Sequence, residues 1–380
     1  MDRDRSNGSC GMDILSDGSN CDNKGGRFMK IAIAAELAPA KTFIPLIEKF
    51  NAKFIVLEHG KGVRELLGPY SQDIYSIGES RRSNGNRIRI ATRILSDVRR
   101  AVVALRKSKP DILLTCGNAG DVRKGITAAK LLGIPVLHIE QDIYNPIEMI
   151  AFADLITAPS REYKEYLETN YHLKSVENIG GYPHALYVKN LKLEDPKNIR
   201  KRYDLDEFIL TVLGGDLKSQ DIPPLIRMLE KLGENILLAP FRFDKRLIRK
   251  HINSKNIHVL EGFVDLPSFM NASKAMIYAA GMGVTIEAGV LGVPSIKIAG
   301  FHGQHASVDL CEKIGIPIVK IEDIPSIIQD LTPPDSDYLL STAEGSVKKL
   351  ISLMENFQPK GACGGFKSFK MIWEARSKFR

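Results

Sequence analysis

Short apolar runs alternate with helical stripes along most of this chain. From Met29, the run KIAIAAE reads as a buried strand ending at Glu36, followed by a loop over 37–41 and a helix over 43–50. Further strands are predicted at 53–57 and 73–77. Residues 111–141, DILLTCGNAGDVRKGITAAKLLGIPVLHIEQ, then spell strand, glycine turn, helix and strand. Residues 275–298, AMIYAAGMGVTIEAGVLGVPSIKI, repeat that grammar, with EAGVLGVPSIKI standing against AAKLLGIPVLHI. Between and around them the pattern predicts strands at 208–213, 235–239 and 258–260. Helices are predicted at 161–170, 222–232, 266–274 and 306–314. Alternation of strand and helix predicts parallel sheets, and two units of one design in opposite halves predict two doubly wound α/β domains.

The breaks in the pattern set the boundaries. Residues 1–28 are polar, aperiodic and lack an apolar core, so they read as a disordered extension and not as a signal peptide. A first Rossmann-like domain is expected over 29–190, closing at Gly180-Gly181-Tyr182-Pro183. A second Rossmann-like domain is expected over 191–359. The basic tail over 360–380, with the only tryptophan, Trp373, is expected to form a last helix packing back on the first domain.

Composition narrows the partners. A chain of 380 residues, 44% hydrophobic and 26% charged, is long enough for two cores. Its net charge of +8 favours anionic partners, but no nucleic-acid motif accompanies it, so nucleic acid is not expected. The five cysteines form no C-x-x-C pair, which argues for a reducing, cytoplasmic setting and against a zinc site. No run reaches the ~20 apolar residues of a membrane span. Within 79–110, ten Lys/Arg face only Glu79 and Asp97, while Ile90, Ile94, Val98, Val102 and Leu105 form one helical stripe. Such a helix is either a core helix with a solvated basic face, or one that lies on an anionic surface through 81–107, peripheral to the inner membrane face.

The candidate chemistry sits at strand ends. Glycine turns before helices, at Gly281 to Gly283 and at Gly214-Gly215-Asp216, are ready phosphate sites. Glu287, read as lying in the first turn of its helix, is placed to accept hydrogen bonds from a ribose diol, or simply to favour a helix start. Glu36, at the carboxyl end of the first strand, is the preferred catalytic base, followed by Glu140 and His138. Each has a plainer reading: a turn cap for Glu36, a satisfied core histidine for His138. The D-x-D triplets at 204–206 and 335–337 follow no strand into a site and read as loop acids.

In order along the chain, Gly214-Gly215-Asp216, GFVDLPSFM at 262–270, GMGVTIE at 281–287, Leu291-Gly-Val-Pro294 and His302-Gly-Gln304-His305 resemble the MurG-like branch of the GT-B glycosyltransferases. That resemblance implies a GT-B fold, two Rossmann-like domains facing across a cleft, with 29–190 as the acceptor domain and 191–359 as the nucleotide-sugar-binding domain. It implies UDP-N-acetylglucosamine as donor substrate, no cofactor and no metal. Its donor residues would be Gly214, Gly215, Asp216, Val264, Gly283, Thr285, Glu287 and Gln304, with the backbone at Val264 reading uracil and Gln304 the sugar. In the first half, LLGIPVLHIEQ and NPIEMIAFADLITAPSREY also resemble the UDP-N-acetylglucosamine 2-epimerases, where Glu140 and Glu148 would match two carboxylates. Asn118 stands where epimerases carry an acid, and ELAPAKT at 36–42 lacks the glycine-glycine-histidine loop of MurG. Three functions follow as expectations: transfer of a sugar from a UDP-sugar to an acceptor such as a lipid-linked one; 2-epimerisation; or a non-catalytic nucleotide-sugar-binding subunit with a membrane partner.

Overall fold

The computed structural model describes residues 28–79, 87–241, 243–262, 264–300 and 304–378. The predicted extension, Arg81 and Arg82 of the basic segment, Phe263 of the base-reading turn, and His302 and Gly303 lie outside the described residues.

Strand and helix alternate as the apolar periodicity demands. β1 (Lys30–Ala35), β2 (Lys53–Glu58), β3 (Asp73–Ser76), β4 (Ile112–Cys116), β5 (Val136–Ile139), β6 (Leu155–Ala158) and β7 (Val176–Asn178) form one sheet. Its order is β3-β2-β1-β4-β5-β6-β7, and every pairing is parallel. The connections are α1 (Leu37–Lys49), α2 (Val63–Leu67), α3 (Arg87–Ser108), α4 (Gly120–Leu131), a 3-10 segment at Glu148–Phe152, and α5 (Arg161–Tyr171). α6 (Pro183–Lys189) and α7 (Pro196–Tyr203) lead to the second sheet.

That sheet comprises β8 (Ile209–Val212), β9 (Ile236–Ala239), β10 (Ile257–Val259), β11 (Ala275–Tyr278), β12 (Ser295–Ile298) and β13 (Ile318–Val319), all parallel, in the order β10-β9-β8-β11-β12-β13. α8 (Ile222–Lys231), α9 (Lys245–Arg249), α10 (Leu266–Ala272), α11 (Met282–Leu291), α12 (Ala306–Ile314) and α13 (Ile324–Ile327) connect its strands and follow the last of them. α14 (Asp337–Glu355) then packs on α6, α11 and α1, and α15 (Gly365–Ser377) lies on the Glu148–Phe152 segment of the first domain. The central strands are buried along their whole length, as sheets covered on both faces require.

Alternation along β8 shows how the two halves are joined. Leu210 and Val212 belong to a core that runs through α6, α11 and α14 into the first domain, whereas Ile209 and Leu213 belong to a separate core under α8. One departure from the sequence reading bears on the site. Residues 37–41 are helical, because α1 starts directly after Glu36. Pro39 occupies its first turn, where no N–H is needed, so the proline that suggested a loop is a helix starter.

Candidate active site

Strand order reverses between β1 and β4 and again between β8 and β11, and it is at such switch points that parallel sheets open ligand crevices. The loops after these strands meet each other. Lys41 of α1 reaches Glu287 of α11, and Asp142, beyond β5, accepts the backbone N–H of Ala306 at 3.2 Å. Two doubly wound domains thus face each other across the carboxyl ends of their strands.

On the second-domain side the focus is the start of α11. The first N–H bonded within this helix is that of Thr285, to the Gly281 carbonyl at 3.3 Å. Those of Met282, Gly283 and Val284 have no carbonyl inside the helix to meet, and with the helix dipole they favour an anion. Two imidazoles line this end: a Cβ on Gly281 would lie 3.4 Å from His305 Cε1, and one on Gly283 would lie 3.5 Å from His184 Cε1. Glu287 stands in the second turn, not the first, because the helix opens at Met282. It is buried, ion-paired to Lys41, and 3.4 Å from His184 Nε2, which finds no hydrogen-bond partner. Burial alone would raise the Glu287 carboxyl, but the Lys41 ammonium and His184 hold it at about 2. Burial lowers His184 in turn.

The other donor-side candidates divide. Gly214 is fixed by packing: a Cβ there would sit 2.0 Å from the Ala279 carbonyl oxygen. Asp216 pairs at 2.6 Å with the buried Lys297, whose ammonium also donates to the Ala280 carbonyl at 2.7 Å, so this acid ties the loop to the end of β11. Gly215 is half-buried in the turn between them. Thr285 turns its hydroxyl inward to Tyr278 OH at 3.1 Å, and its N–H donates to the Gly281 carbonyl. Val264 is half-buried against the core, and Gln304 is exposed just before the α12 N-cap, His305.

On the first-domain side, Glu36 stands at the junction of β1 and α1, in the N-cap position but with no side-chain cap. Its Oε1 lies 2.7 Å from His59 Nδ1, its N–H donates to Asp121 Oδ2 at 3.0 Å, and its side chain is 26% exposed. Asp121 is fully buried with Oδ1 unpartnered; burial and the Glu36 charge push it up to about 8. Glu36, His59 and Asp121 offer three ligand atoms within 4.8 Å of one another, the spacing of a small metal site. However, Lys124 Nζ, 2.6 Å from His59 Nε2, has only protons to give, which leaves the His59 proton on Nδ1, facing Glu36. The arrangement is a hydrogen-bonded one.

His138 and Glu140, the other candidate bases, are engaged in internal hydrogen bonds. His138 is sealed in the sheet between Thr115 Oγ1 (2.9 Å) and Glu140 Oε2 (3.2 Å). Glu140 Oε1 accepts the N–H groups of Gln141 and Asp142 at 2.9 and 2.8 Å, so the pair shapes the turn after β5. That turn aims Asp142 at His305 Nε2, 3.1 Å away, across the cleft. Burial raises Asp142 against the pull of His305.

Comparison with known proteins fits this frame. An enzyme of Thermus thermophilus named UDP-N-acetylglucosamine–N-acetylmuramyl-(pentapeptide) pyrophosphoryl-undecaprenol N-acetylglucosamine transferase is 30% identical over 290 residues, covering 70% of this chain and 80% of that one. The chain belongs to this transferase family. Of solved structures, the UDP-N-acetylglucosamine 2-epimerase of Rickettsia bellii matches with a TM-score of 0.65 at 15% identity, over 87% of this chain and 97% of that one. The calicheamicin glycosyltransferase CalG4 matches with a TM-score of 0.53 at 10% identity, over 88% and 100%. At such identities the likeness is one of fold, and the fold is GT-B. No protein-family model matches the sequence.

In this transferase several residues of the candidate site escape a reading of the sequence: Lys41, His59, Asp121, Lys124, Asp142 and His184 carry no motif of their own, and His305 stood in a motif without a role. A usable signal existed for two of them. His59 follows a strand end just as Glu36 does, and Asp121 lies at a helix start after a glycine turn.

Proposed function

We propose that the protein transfers N-acetylglucosamine from UDP-N-acetylglucosamine to a lipid-linked acceptor, the reaction named for its relatives. The observation that carries this reading is the buried Glu287 below the open start of α11. A diphosphate at Met282–Val284 would put the ribose near Glu287, whose diol then takes the place of Lys41 on the carboxylate. The leaving diphosphate gains its stabilisation from backbone N–H groups and from His184 and His305, with no cofactor and no metal called upon. Glu36 is the base for the acceptor hydroxyl: it is the exposed end of the first-domain cluster and stands at the crevice. Gly215, Val264 and Gln304 are proposed to border the donor, while Gly214 and Asp216 keep its loop in place.

Epimerisation is the reading the geometry disfavours. Its two matching carboxylates are engaged elsewhere: Glu140 in the turn after β5, and Glu148 in a two-pronged pair with Arg123 at 2.5 and 2.8 Å. We therefore expect no UDP-N-acetylmannosamine after long incubation of UDP-N-acetylglucosamine with the protein, followed by NMR. UDP is expected to appear when the lipid-linked muramyl acceptor is added, undiminished by EDTA. An accumulating manno signal overturns the transferase reading. Silence with the acceptor, despite UDP binding, would favour a binding subunit instead.

The lipid side is proposed to lie along α3, α4 and α15, which sit in a row with the Glu148–Phe152 segment on one face of the first sheet. Of the exposed large apolar side chains among the described residues, Leu95, Val103, Leu131, Phe366 and Trp373 lie there, and Phe28, Tyr70 and Phe241 elsewhere. Arg93, Arg99, Arg106, Lys107, Lys367 and Lys370 surround them, the mixture an anionic membrane surface favours. No helix among the described residues is long and apolar enough to cross a membrane.

A further inference from the structure

A line of buried polar groups crosses the first domain and ends at Glu36. Asp97 of α3 accepts from Lys124 Nζ at 2.6 Å, and the same ammonium lies 2.6 Å from His59 Nε2. His59 Nδ1 completes the line at 2.7 Å from Glu36 Oε1. Asp97, Lys124 and His59 are all buried, and Glu36 is the one member open to the cleft. The backbone is shaped to admit them: Gly78 has φ +120°, and a Cβ there would lie 2.3 Å from Asp97 Oδ2. On the sequence, Asp97 reads only as a counter-charge in a basic helix. Its burial and its pairing with α4 need another purpose, since a buried ion pair contributes little stability by itself.

The chemistry of the groups supplies one. The lysine ammonium has three donors and no acceptor. His59 Nε2 must therefore accept, which leaves the imidazole proton on Nδ1, where it meets the Glu36 carboxylate. We propose that Asp97, Lys124 and His59 are positioning residues that fix the tautomer of His59 and so aim Glu36 at the acceptor hydroxyl. The inference rests on Glu36 being the base. In the transfer step the acceptor oxygen attacks C1 of the sugar, and its proton goes to Glu36. The bond to the diphosphate breaks with its electron pair leaving on the phosphate oxygen, while His59 keeps its own proton throughout. Asp121, which shares the site and is held protonated by burial and by Glu36, leaves one negative charge between the two carboxyls.

The test is the ring-nitrogen NMR of His59 in the full-length protein, its signals assigned by their loss in His59→Gln. Nδ1 is expected as the protonated nitrogen and Nε2 as the bare one; the reverse tautomer overturns the proposal. The double variant Asp97→Asn/Lys124→Met removes both charges and so strands neither. It should give mixed tautomers and lower kcat about ten- to hundred-fold, the scale of a misplaced catalytic group, while the KM for UDP-N-acetylglucosamine stays nearly constant. Unchanged tautomer and kcat in that variant also overturn the proposal. Glu36→Gln separates the underlying reading: full activity there ends the role of Glu36 as base and with it the purpose of the relay, even if His59 is found as Nδ1–H.

Discussion

Glu287 and Asp121 are carboxyls buried to a similar degree, and their surroundings move them in opposite directions. Glu287 has a cation beside it and stays ionised. Its stabilising contribution is therefore present above the ordinary carboxylate range near 4.5 and is lost as pH falls toward about 2. Glu287→Gln should keep the fold but weaken UDP by about 1.5–3 kcal/mol, the scale of hydrogen bonds to a charged group. Calorimetric titration with UDP checks this, with ADP as a control that should bind less well than UDP to the parent protein. Asp121 faces Glu36 and pairs with no cation among the described residues. Its carboxyl, raised to about 8, keeps a proton that the unfolded chain loses near 3.8, so stability declines as pH rises between those values. Asp121→Asn removes that decline, and its gain in melting temperature over the parent should be larger at pH 8 than at pH 4. An equal gain at both would mean that Asp121 is ionised in the fold. The two carboxyls also differ in how legible they were. Glu287 was visible in the sequence because its own helix start gives it meaning, whereas Lys41, which sets its charge, is 246 positions away and belongs to a different domain.

At the scale of elements, periodicity and glycine turns located the central strands of both sheets and most helices between them, since a parallel strand must be apolar throughout and its turn must be tight, but they gave no sign of α6 or α14. What they left ambiguous was the purpose of each glycine, because packing and ligand approach demand the same residue. The packing around each glycine separates the two. A methyl on Gly214 runs into the Ala279 carbonyl, backbone against backbone, just beyond the paired ends of β8 and β11, where that carbonyl already accepts the Asp216 N–H. A methyl on Gly283 meets His184 at an ordinary contact distance. Gly214→Ala should therefore lower stability by about 1–3 kcal/mol or more, the cost of overpacking. Gly283→Ala should be neutral or slightly stabilising, since alanine is the better helix former, yet lose UDP affinity if the diphosphate approaches there. Denaturant melts with parallel UDP titrations give both readings. The reverse pattern would place the anion at the loop after β8 instead. The misplaced start of α1 has a similar origin: Pro39 signals a loop and a helix start equally well, and only the packing of α1 on α6 and α14 decides.

Across the whole molecule, two doubly wound halves were legible from the repeated strand–turn–helix grammar, but the way they join was not. One core passes from the first domain through α6, α11 and α14 to the inner face of the second sheet, and polar contacts such as Asp142 with His305 close the crevice beside it. The face proposed to meet lipid shows the same limit. The basic stripe near residue 90 could be read in the sequence, yet not that α15, more than 250 positions later, lies in the same row. If that face docks on a membrane, binding should need anionic lipid, because basic side chains attract it by about 1 kcal/mol each near the surface. It should also weaken at about 0.5 M salt, where screening shortens the reach of each charge. Vesicle co-sedimentation with and without phosphatidylglycerol checks both points. Reversing two charges on either helix, Arg99→Glu/Arg106→Glu on α3 or Lys367→Glu/Lys370→Glu on α15, should cut binding by about ten-fold or more on that scale, with UDP affinity intact because neither pair touches the cleft. Phe366→Ser should weaken what remains at high salt, since its ring is 81% exposed and stands to gain by burial in lipid. Binding to neutral vesicles as strong as to anionic ones, or indifference to both reversals, would remove this face from contact with the membrane and leave the acceptor to be reached from another side of the cleft.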